Sequence, residues 1–247
     1  DGAVCVIDSG EDITWPEPDE AYVKEPFFED FNGTEIDTSI WQVATWFEHG
    51  GRTGADRCYV SKGLLNMVFI NDSSEGYLSA AIQTREEYYY GTWEARLKPS
   101  SVPGVLNSMY TIDWDNTTTS GSTSDGTKEE IDIEFLTYKF GNDAGEVHYA
   151  VHEQGSSSFE TNPDVPLDFN PSDGFRVWGF TITPEYIEWF VDGEVLQRYD
   201  YDEGDISIDS PYQLKFNVWS QAHWINGPPE ADIETVYQID WIRFTPL

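Results

Sequence analysis

Short runs of alternating apolar and polar residues recur along most of this 247-residue chain. This period of two is that of β-strands, whose successive side chains point to opposite faces, and Gly, Pro, Asn and Asp separate the runs. The runs are residues 63–70, 77–85, 90–98, 106–114, 130–136, 146–152, 175–182, 186–199, 212–220 and 235–244. No convincing helical pattern accompanies them. The sequence therefore predicts an all-β fold, an antiparallel two-sheet sandwich of the jelly-roll type with a concave substrate cleft.

The chain divides into two parts by composition. Residues 1–25 are rich in Asp, Glu and Pro and predict an extended acidic lead-in, whereas residues 26–247 predict a single domain. Cys5 and Cys58 are the only cysteines. A disulfide between them would tie the lead-in to the domain, and two free thiols are the alternative.

The net charge of −33 limits the partners of this protein. Nucleic acid and anionic membrane surfaces would repel it, so neither is expected as a partner. No run of 18 apolar residues is present, and the start at Asp1 without a leader favours a trimmed mature or an engineered chain. We expect a monomer that is secreted, extracellular or periplasmic. The acidic, Lys-poor composition indicates either a salty, halophilic setting or secretion alone.

The segment "EIDIEFL", residues 130–136, places Glu130, Asp132 and Glu134 on one strand face and three large apolar side chains on the other. Acidic residues make up 46 of the 247, so this spacing also arises by chance on a solvated face. The fully apolar opposite face favours a central strand instead. Its acidic face would then form the floor of a concavity.

Three carboxyl groups on such a floor would change one another's proton affinity. A carboxylate flanked by two others is harder to ionise, so its pKa rises and it can donate a proton near neutral pH. Glycoside hydrolysis needs this division between one acid and one carboxylate. Alternate strand positions lie about 6.6 Å apart, and the outer two about 13 Å, so the outer side chains must lean inward to act together.

The stretch "EEIDIEF" resembles the active-site strand of glycoside hydrolase family 16 in its Glu-x-Asp-x-Glu form. Lichenases, which are endo-β-1,3-1,4-glucanases, and xyloglucan endotransglycosylases carry this form, whereas laminarinases and agarases usually have one more residue before the last Glu. The similarity runs from residues 27–33 through 90–98 to 238–244. It implies that Glu130 is the nucleophile, that Glu134 is the general acid and then the base, and that Asp132 lies between them.

The resemblance also implies residues that bind the sugar, with ordinary sandwich packing as the alternative for each. These residues are His49, Tyr110, Trp114, His152, Asn217 and Trp219. Two departures from lichenases concern the sugar grip, because Ala81 and Gln83 stand where those enzymes have Glu and Arg. A third is Lys128, which replaces a Trp ahead of the catalytic strand; Trp114 is a candidate substitute.

A structural Ca²⁺ is implied in the same way. The matching positions are the backbone oxygens of Asp30 and Gly63 and the side chain of Asp240, and oxygen ligands suit this ion. Asp240 as a plain surface acid is the alternative.

The expected activity is that of a retaining endo-β-glycanase acting on a polysaccharide. A β-1,3-1,4- or β-1,3-glucan is favoured, because so anionic a protein poorly matches a sulfated chain. A marine galactan hydrolase and a xyloglucan-type transglycosylase remain open, and a non-catalytic carbohydrate-binding jelly roll disagrees with the presence of both outer Glu residues.

Overall fold

The computed structural model describes residues 23, 25–45, 47–48, 51–113, 128–154, 159–161, 164–201, 206–208, 210–221 and 224–247. Most of the predicted lead-in, Cys5, His49 and Trp114 lie outside these residues. Within them no helix is long and apolar enough to cross a lipid bilayer.

The described residues are arranged mainly in β-strands. In chain order these are β1 Phe27–Glu29, β2 Trp41–Val43, β3 Phe47–Glu48, β4 Gly51–Thr53, β5 Cys58–Ser61, β6 Leu64–Asp72, β7 Gly76–Thr84, β8 Gly91–Lys98, β9 Leu106–Ile112, β10 Lys128–Leu136, β11 Gly145–Gln154, β12 Phe159–Thr161, β13 Val165–Leu167, β14 Arg176–Ile182, β15 Tyr186–Val191, β16 Glu194–Asp200, β17 Gln213–Trp219 and β18 Ile233–Pro246. Single-turn 3₁₀ helices span Ala55–Arg57, Thr137–Lys139 and Pro171–Asp173. All ten predicted runs contain strand.

The strands form two layers. The front sheet has the order β11, β10, β9, β17, β7, β2, with β12 and β13 paired to β11. The back sheet has the order β16, β15, β14, β8, β18, β6, β5, and β1 pairs with the end of β18. Strand β7 joins both, since its start pairs with β6 and its end with β17 and β2. The predicted sandwich is confirmed, and the short pairing of β4 with β7 is parallel.

Aromatic side chains fill the space between the layers. Phe135 of the front sheet lies 4.8 Å from Trp178 of the back sheet, measured between ring centroids, and Tyr149 lies 5.4 Å from Trp189. All four belong to one buried hydrophobic cluster. The front sheet is thus fully covered on its inner face, which leaves its outer face for function.

The turn between β15 and β16 follows its predicted chemistry. Asp192 and Gly193 have φ angles of +49° and +82°, and Val191 pairs directly with Glu194. Positive φ at both central residues is the type I′ geometry that Asp-Gly favours in a two-residue hairpin.

Cys58 lies buried in β5, with its Sγ 3.7 Å from the carbonyl oxygen of Ala81. Burial raises the pKa of this thiol to about 12. Since Cys5 is outside the described residues, the Cys5–Cys58 disulfide stays a prediction.

Candidate active site

The acidic strand lies in the interior of the front sheet. β10 pairs with β9 on one side and β11 on the other, so Ile131, Ile133 and Phe135 can point into the core, where each is fully buried. Because side chains alternate across a strand, Glu130, Asp132 and Glu134 share the outer face.

The outer face of the front sheet is recessed rather than open. We call its central part, formed by residues of β11, β10, β9, β17 and β7, the cleft floor. Polar members that would be exposed on a flat sheet are buried, among them Asp132 at 5% exposure, Lys215 at 6% and Asn217 at 4%. This agrees with the predicted concavity, and it means that charges here interact through little water.

Asp132 has a direct ionisable partner. Its Oδ2 lies 3.1 Å from Nε2 of His152, whose backbone is opposite Glu130 on β11. The sequence-predicted His152 therefore lies beside the acidic strand, within hydrogen-bonding distance of the middle carboxylate.

Glu134 has a pKa raised well above its usual value. Burial is the largest cause, followed by the charges of Asp132 and Glu130, which disfavour a third anion nearby. His152 and a hydrogen bond from Trp224 act in the opposite sense. A carboxyl group with this balance holds its proton at pH values where an ordinary Glu has lost it, as a general acid must.

His148, on β11 directly opposite Glu134, is a neighbour that the sequence prediction missed. Its Nε2 lies 3.8 Å from Oε2 of Glu134, and its Nδ1 lies 3.0 Å from Oδ1 of Asp164. The ring of Trp224 meets the imidazole edge-on at 5.4 Å.

The other predicted sugar-binding residues have different surroundings. Tyr110 lies opposite Asp132 on β9, and Asn217 accepts a hydrogen bond from Ser108, which is opposite Glu134. Trp219 lies at one end of the cleft floor, but it is only 6% exposed and packs in a small apolar cluster with Ile225. Among the described residues, Trp224 instead presents an exposed aromatic ring beside the acids, at 41%.

A polar depression lies on the side of the cleft floor away from β11. Tyr110, Lys215 and Gln83 are directly paired across three strands and line it together with Gln42 and Ala81. Gln83 donates to Gln42 at 3.0 Å and to Gln213 at 3.2 Å. Ala81 and Gln83 occupy the positions at which lichenases have Glu and Arg. The polar groups of this depression are therefore side-chain amides, the Tyr110 hydroxyl and the ammonium group of Lys215.

Some of these omissions had a signal in the sequence. His148 precedes His152 by four residues, and Lys215 precedes Asn217 by two, so each shares a strand face with a residue already chosen. Trp224 is an aromatic residue among turn formers in "HWINGPP", a context that favours exposure. Asp164 had none, since its approach to His148 depends on the pairing of β13 with β11.

The three residues expected to hold calcium belong to neighbouring segments. Glu29 pairs with Ile242 and Leu65 with Ile239, so the chains next to Asp30 and Gly63 flank the irregular point of β18 at which Asp240 lies. The carboxylate of Asp240 forms an ion pair with Arg96. Among the described residues, no three His, Cys, Asp or Glu side chains are grouped to hold a metal.

Comparison with known proteins agrees with this architecture. Residues 55–243, well over half of the chain, match the family model described as Glycosyl hydrolases family 16. A β-glucanase of Brevibacillus brevis is 26% identical over 234 residues, which cover 90% of this chain and 82% of that protein.

Two solved structures share the fold. A β-1,3-1,4-glucanase (lichenase) from a mouse hindgut metagenome has 27% identity and a TM-score of 0.71, with 90% of this chain and 99% of that one covered. The catalytic domain of a Thermotoga petrophila laminarinase has 20% identity and a TM-score of 0.71, with 90% and 98% covered. The extent of the family match, on a sandwich that carries the three acids on its cleft floor, leads to one conclusion. The chain is a glycoside hydrolase and belongs to family 16 of the glycosyl hydrolases.

Proposed function

We propose that this protein is an endo-acting β-glucanase that cleaves its substrate with retention of configuration. The observation that carries the proposal is the acidic strand on the recessed cleft floor, where burial and two further carboxyl groups raise the pKa of Glu134. Retaining glycosidases need one such acid and one carboxylate nucleophile. Relatives named β-glucanase support the substrate class.

In the first step, the Glu130 carboxylate attacks the anomeric carbon while Glu134 gives its proton to the glycosidic oxygen. The bond between carbon and that oxygen breaks, and the leaving part of the polysaccharide departs as an alcohol. The product is a glycosyl ester on Glu130. Asp132, paired with His152, keeps a negative charge close to Glu134 and so favours the protonated acid at the start.

In the second step, the Glu134 carboxylate takes a proton from water, and the water oxygen attacks the anomeric carbon. Glu130 leaves as a carboxylate, which restores both groups. Two inversions at one carbon amount to retention of the β configuration.

The substrate is proposed to be a β-1,3-1,4- or β-1,3-glucan. The polar depression lined by Gln42, Gln83, Tyr110 and Lys215 presents hydrogen-bond donors to neutral sugar hydroxyls, and Trp224 presents a flat aromatic ring on the other side of the acids. A marine galactan is the second candidate. Such chains can carry sulfate groups, and Lys215 places one cation in the cleft that could pair with them. Transfer of the glycosyl group to a second sugar shares the first step and differs only in the acceptor.

Replacement of the outer acids tests the roles. Glu130→Gln and Glu134→Gln should each lower the hydrolysis rate by at least about 10³-fold, since each removes a group that reacts directly. Release of reducing ends from lichenan, laminarin, xyloglucan, agarose and carrageenan is the measurement, with Glu94→Gln on the back sheet as a matched control. Retention of more than a few per cent of the rate by either variant, with the control active, would overturn the assignment.

NMR of the first-formed product distinguishes retention from inversion, and an initial α-anomer would exclude double displacement.

Calcium binding is a separate proposal. The backbone oxygens of Asp30 and Gly63 and the carboxylate of Asp240 would supply the oxygen ligands that Ca²⁺ prefers. The pairing of β1 and β6 on either side of Asp240 supports the proposal, and the ion pair of Asp240 with Arg96 opposes it, because the guanidinium competes for the same carboxylate. The ion would stabilise the fold and would take no part in the reaction.

We also propose that the protein acts outside the cell as a monomer.

A further inference from the structure

A chain of charged and polar contacts leads from Glu134 to the edge of the front sheet. His148 Nε2 lies 3.8 Å from Oε2 of Glu134, and His148 Nδ1 lies 3.0 Å from Oδ1 of Asp164. The other oxygen of Asp164 is paired with Nζ of Lys139, which also lies 3.3 Å from Oε2 of Glu146. Of the residues in this series of contacts, only Glu134 has a role in the proposed reaction.

The first consequence concerns the tautomer of His148. An Asp carboxylate only accepts hydrogen bonds, so the ring nitrogen facing Asp164 is the one that carries the hydrogen. Nε2 of a neutral ring is then an acceptor, and it faces Glu134. At 3.8 Å this is too long for a direct hydrogen bond, yet near enough that a small side-chain rotation brings it into range.

The second consequence concerns charge. A carboxylate 3.0 Å from an imidazole ordinarily favours the imidazolium. Here the ammonium of Lys139, shared between Asp164 and Glu146, offsets that effect, and its side chain is only 14% exposed, so water screens the ammonium weakly. Asp164 therefore orients the ring without charging it.

Several elements of the fold surround His148. Glu134 and Asp132 face it from β10, Glu146 and His152 share β11, Lys139 lies in the 3₁₀ helix after β10, Asp164 precedes β13, and Trp224 covers the ring edge. Burial, then Lys139 and His152, lower the pKa of His148 to about 4.

We propose that Lys139, Asp164 and His148 form a positioning relay that keeps a neutral imidazole beside Glu134, so that Glu134 keeps its proton as the general acid. The reason is competition for one proton. Glu134 and His148 can hold it as a neutral acid and neutral base, or as a carboxylate and imidazolium. The second form cannot protonate the glycosidic oxygen, and the ammonium of Lys139 disfavours it.

The relay rests on the proposed function and predicts variants with opposite effects. Lys139→Met leaves Asp164 free to stabilise the imidazolium, so the pKa of His148 should rise by roughly 1 to 2 units. A larger share of the shared proton then resides on His148, where it cannot reach the glycosidic oxygen, so the plateau of kcat/KM should fall by roughly twofold or more, while the alkaline limb should not move to lower pH. Asp164→Asn, which keeps a side-chain oxygen but removes the charge, should not raise the pKa of His148, and the double variant should return that pKa and the plateau of kcat/KM towards the wild-type values.

The experiment combines pH profiles with NMR of the His148 ring nitrogens, using Arg243→Met as the control, since Arg243 pairs with Glu94 on the back sheet. A purely structural role would make Lys139→Met and Asp164→Asn change activity in the same direction without moving the His148 titration. Unchanged His148 titration in Lys139→Met would overturn the relay. Absence of glucanase activity in the wild-type protein would refute the proposed function alone, because the NMR titration still tests the relay. If Lys139→Met fails to fold, Lys139→Gln serves in both measurements.

Discussion

At the scale of single residues, the cleft floor changes two proton affinities in opposite ways. Burial raises the pKa of Glu134 and lowers that of His148, because in each case the charged form loses water. The two groups are neighbours across β10 and β11, so both are held neutral at the same place. Glu134 beside a neutral imidazole keeps its proton until a substrate binds, and can then give it to the glycosidic oxygen.

His148 makes a prediction for stability against pH. In the unfolded chain it binds a proton as pH falls below about 6.5, but in the native protein only near its pKa of about 4. The native state therefore loses stability as pH falls from 6.5 to 4, by up to about 3 kcal/mol. Urea unfolding of wild type and His148→Gln across this range should show a shallower loss in the variant. Equal slopes would contradict a buried neutral His148.

Glu134 changes the free energy of unfolding with pH in the opposite direction, so the wild type and the His148 variant must both contain it. Its native pKa lies above the unfolded value, so its protonated form adds stability at low pH that is lost as pH rises through the native pKa. Since Glu134 is present in both proteins, the difference between them reports mainly His148.

At the scale of elements, the close approach of neighbouring strands limits which residue types fit at positions that take no part in the reaction. Gly179 of β14 lies against β8, and a Cβ there would come 2.2 Å from the carbonyl oxygen of Trp93 and 2.4 Å from the ring of Phe190. The back sheet supports the front sheet through Trp178, which neighbours Gly179 and packs on Phe135 of β10. A change at Gly179 should thus reach the acidic strand through packing.

Gly179→Ala should lower the free energy of unfolding by about 1–3 kcal/mol, because backbone and a packed ring must move. Gly174→Ala is the control, since no atom lies within 4 Å of the Cβ position there. Urea denaturation monitored by tryptophan fluorescence gives both values. Similar stabilities for the two variants would show that β14 and β8 have room to separate.

At the scale of the whole molecule, charge is the dominant feature. The chain has 46 acidic and 13 basic residues, and basic side chains on the back sheet are paired, as in Arg198 with Glu188 and Arg243 with Glu94. These exposed pairs contribute little each, and most carboxylates remain to repel one another.

Thermal melts test the ions that should relieve this repulsion. Raising NaCl from about 0.05 to 1 M shortens the screening length from roughly 14 to 3 Å and should raise Tm. Calcium at fixed ionic strength should raise Tm further in the wild type but not in Asp240→Asn, by mass action on the native state. A Tm insensitive to salt would oppose the halophilic interpretation, and identical calcium responses in both proteins would remove Asp240 from the proposed site.

The sequence by itself determined the class of fold and the acidic strand. Alternation of period two places Ile131 and Glu130 on opposite faces in any sheet, and the Asp192-Gly193 turn follows from local backbone preferences. These features depend on residues a few positions apart, so no knowledge of distant contacts is needed to read them.

Only the tertiary structure decided what surrounds the acids. Asp164, Lys139 and Trp224 approach His148 and Glu134 through pairing of β11 with β10 and β13 and through the loop after β17, none of which has a local signal. It also buried Trp219, which the sequence analysis proposed as a sugar-binding residue, and left Trp224, which that analysis did not single out, exposed. The physical reason is that burial and electrostatic environment are set by contacts between segments far apart in the chain, whereas strand periodicity is set by neighbours.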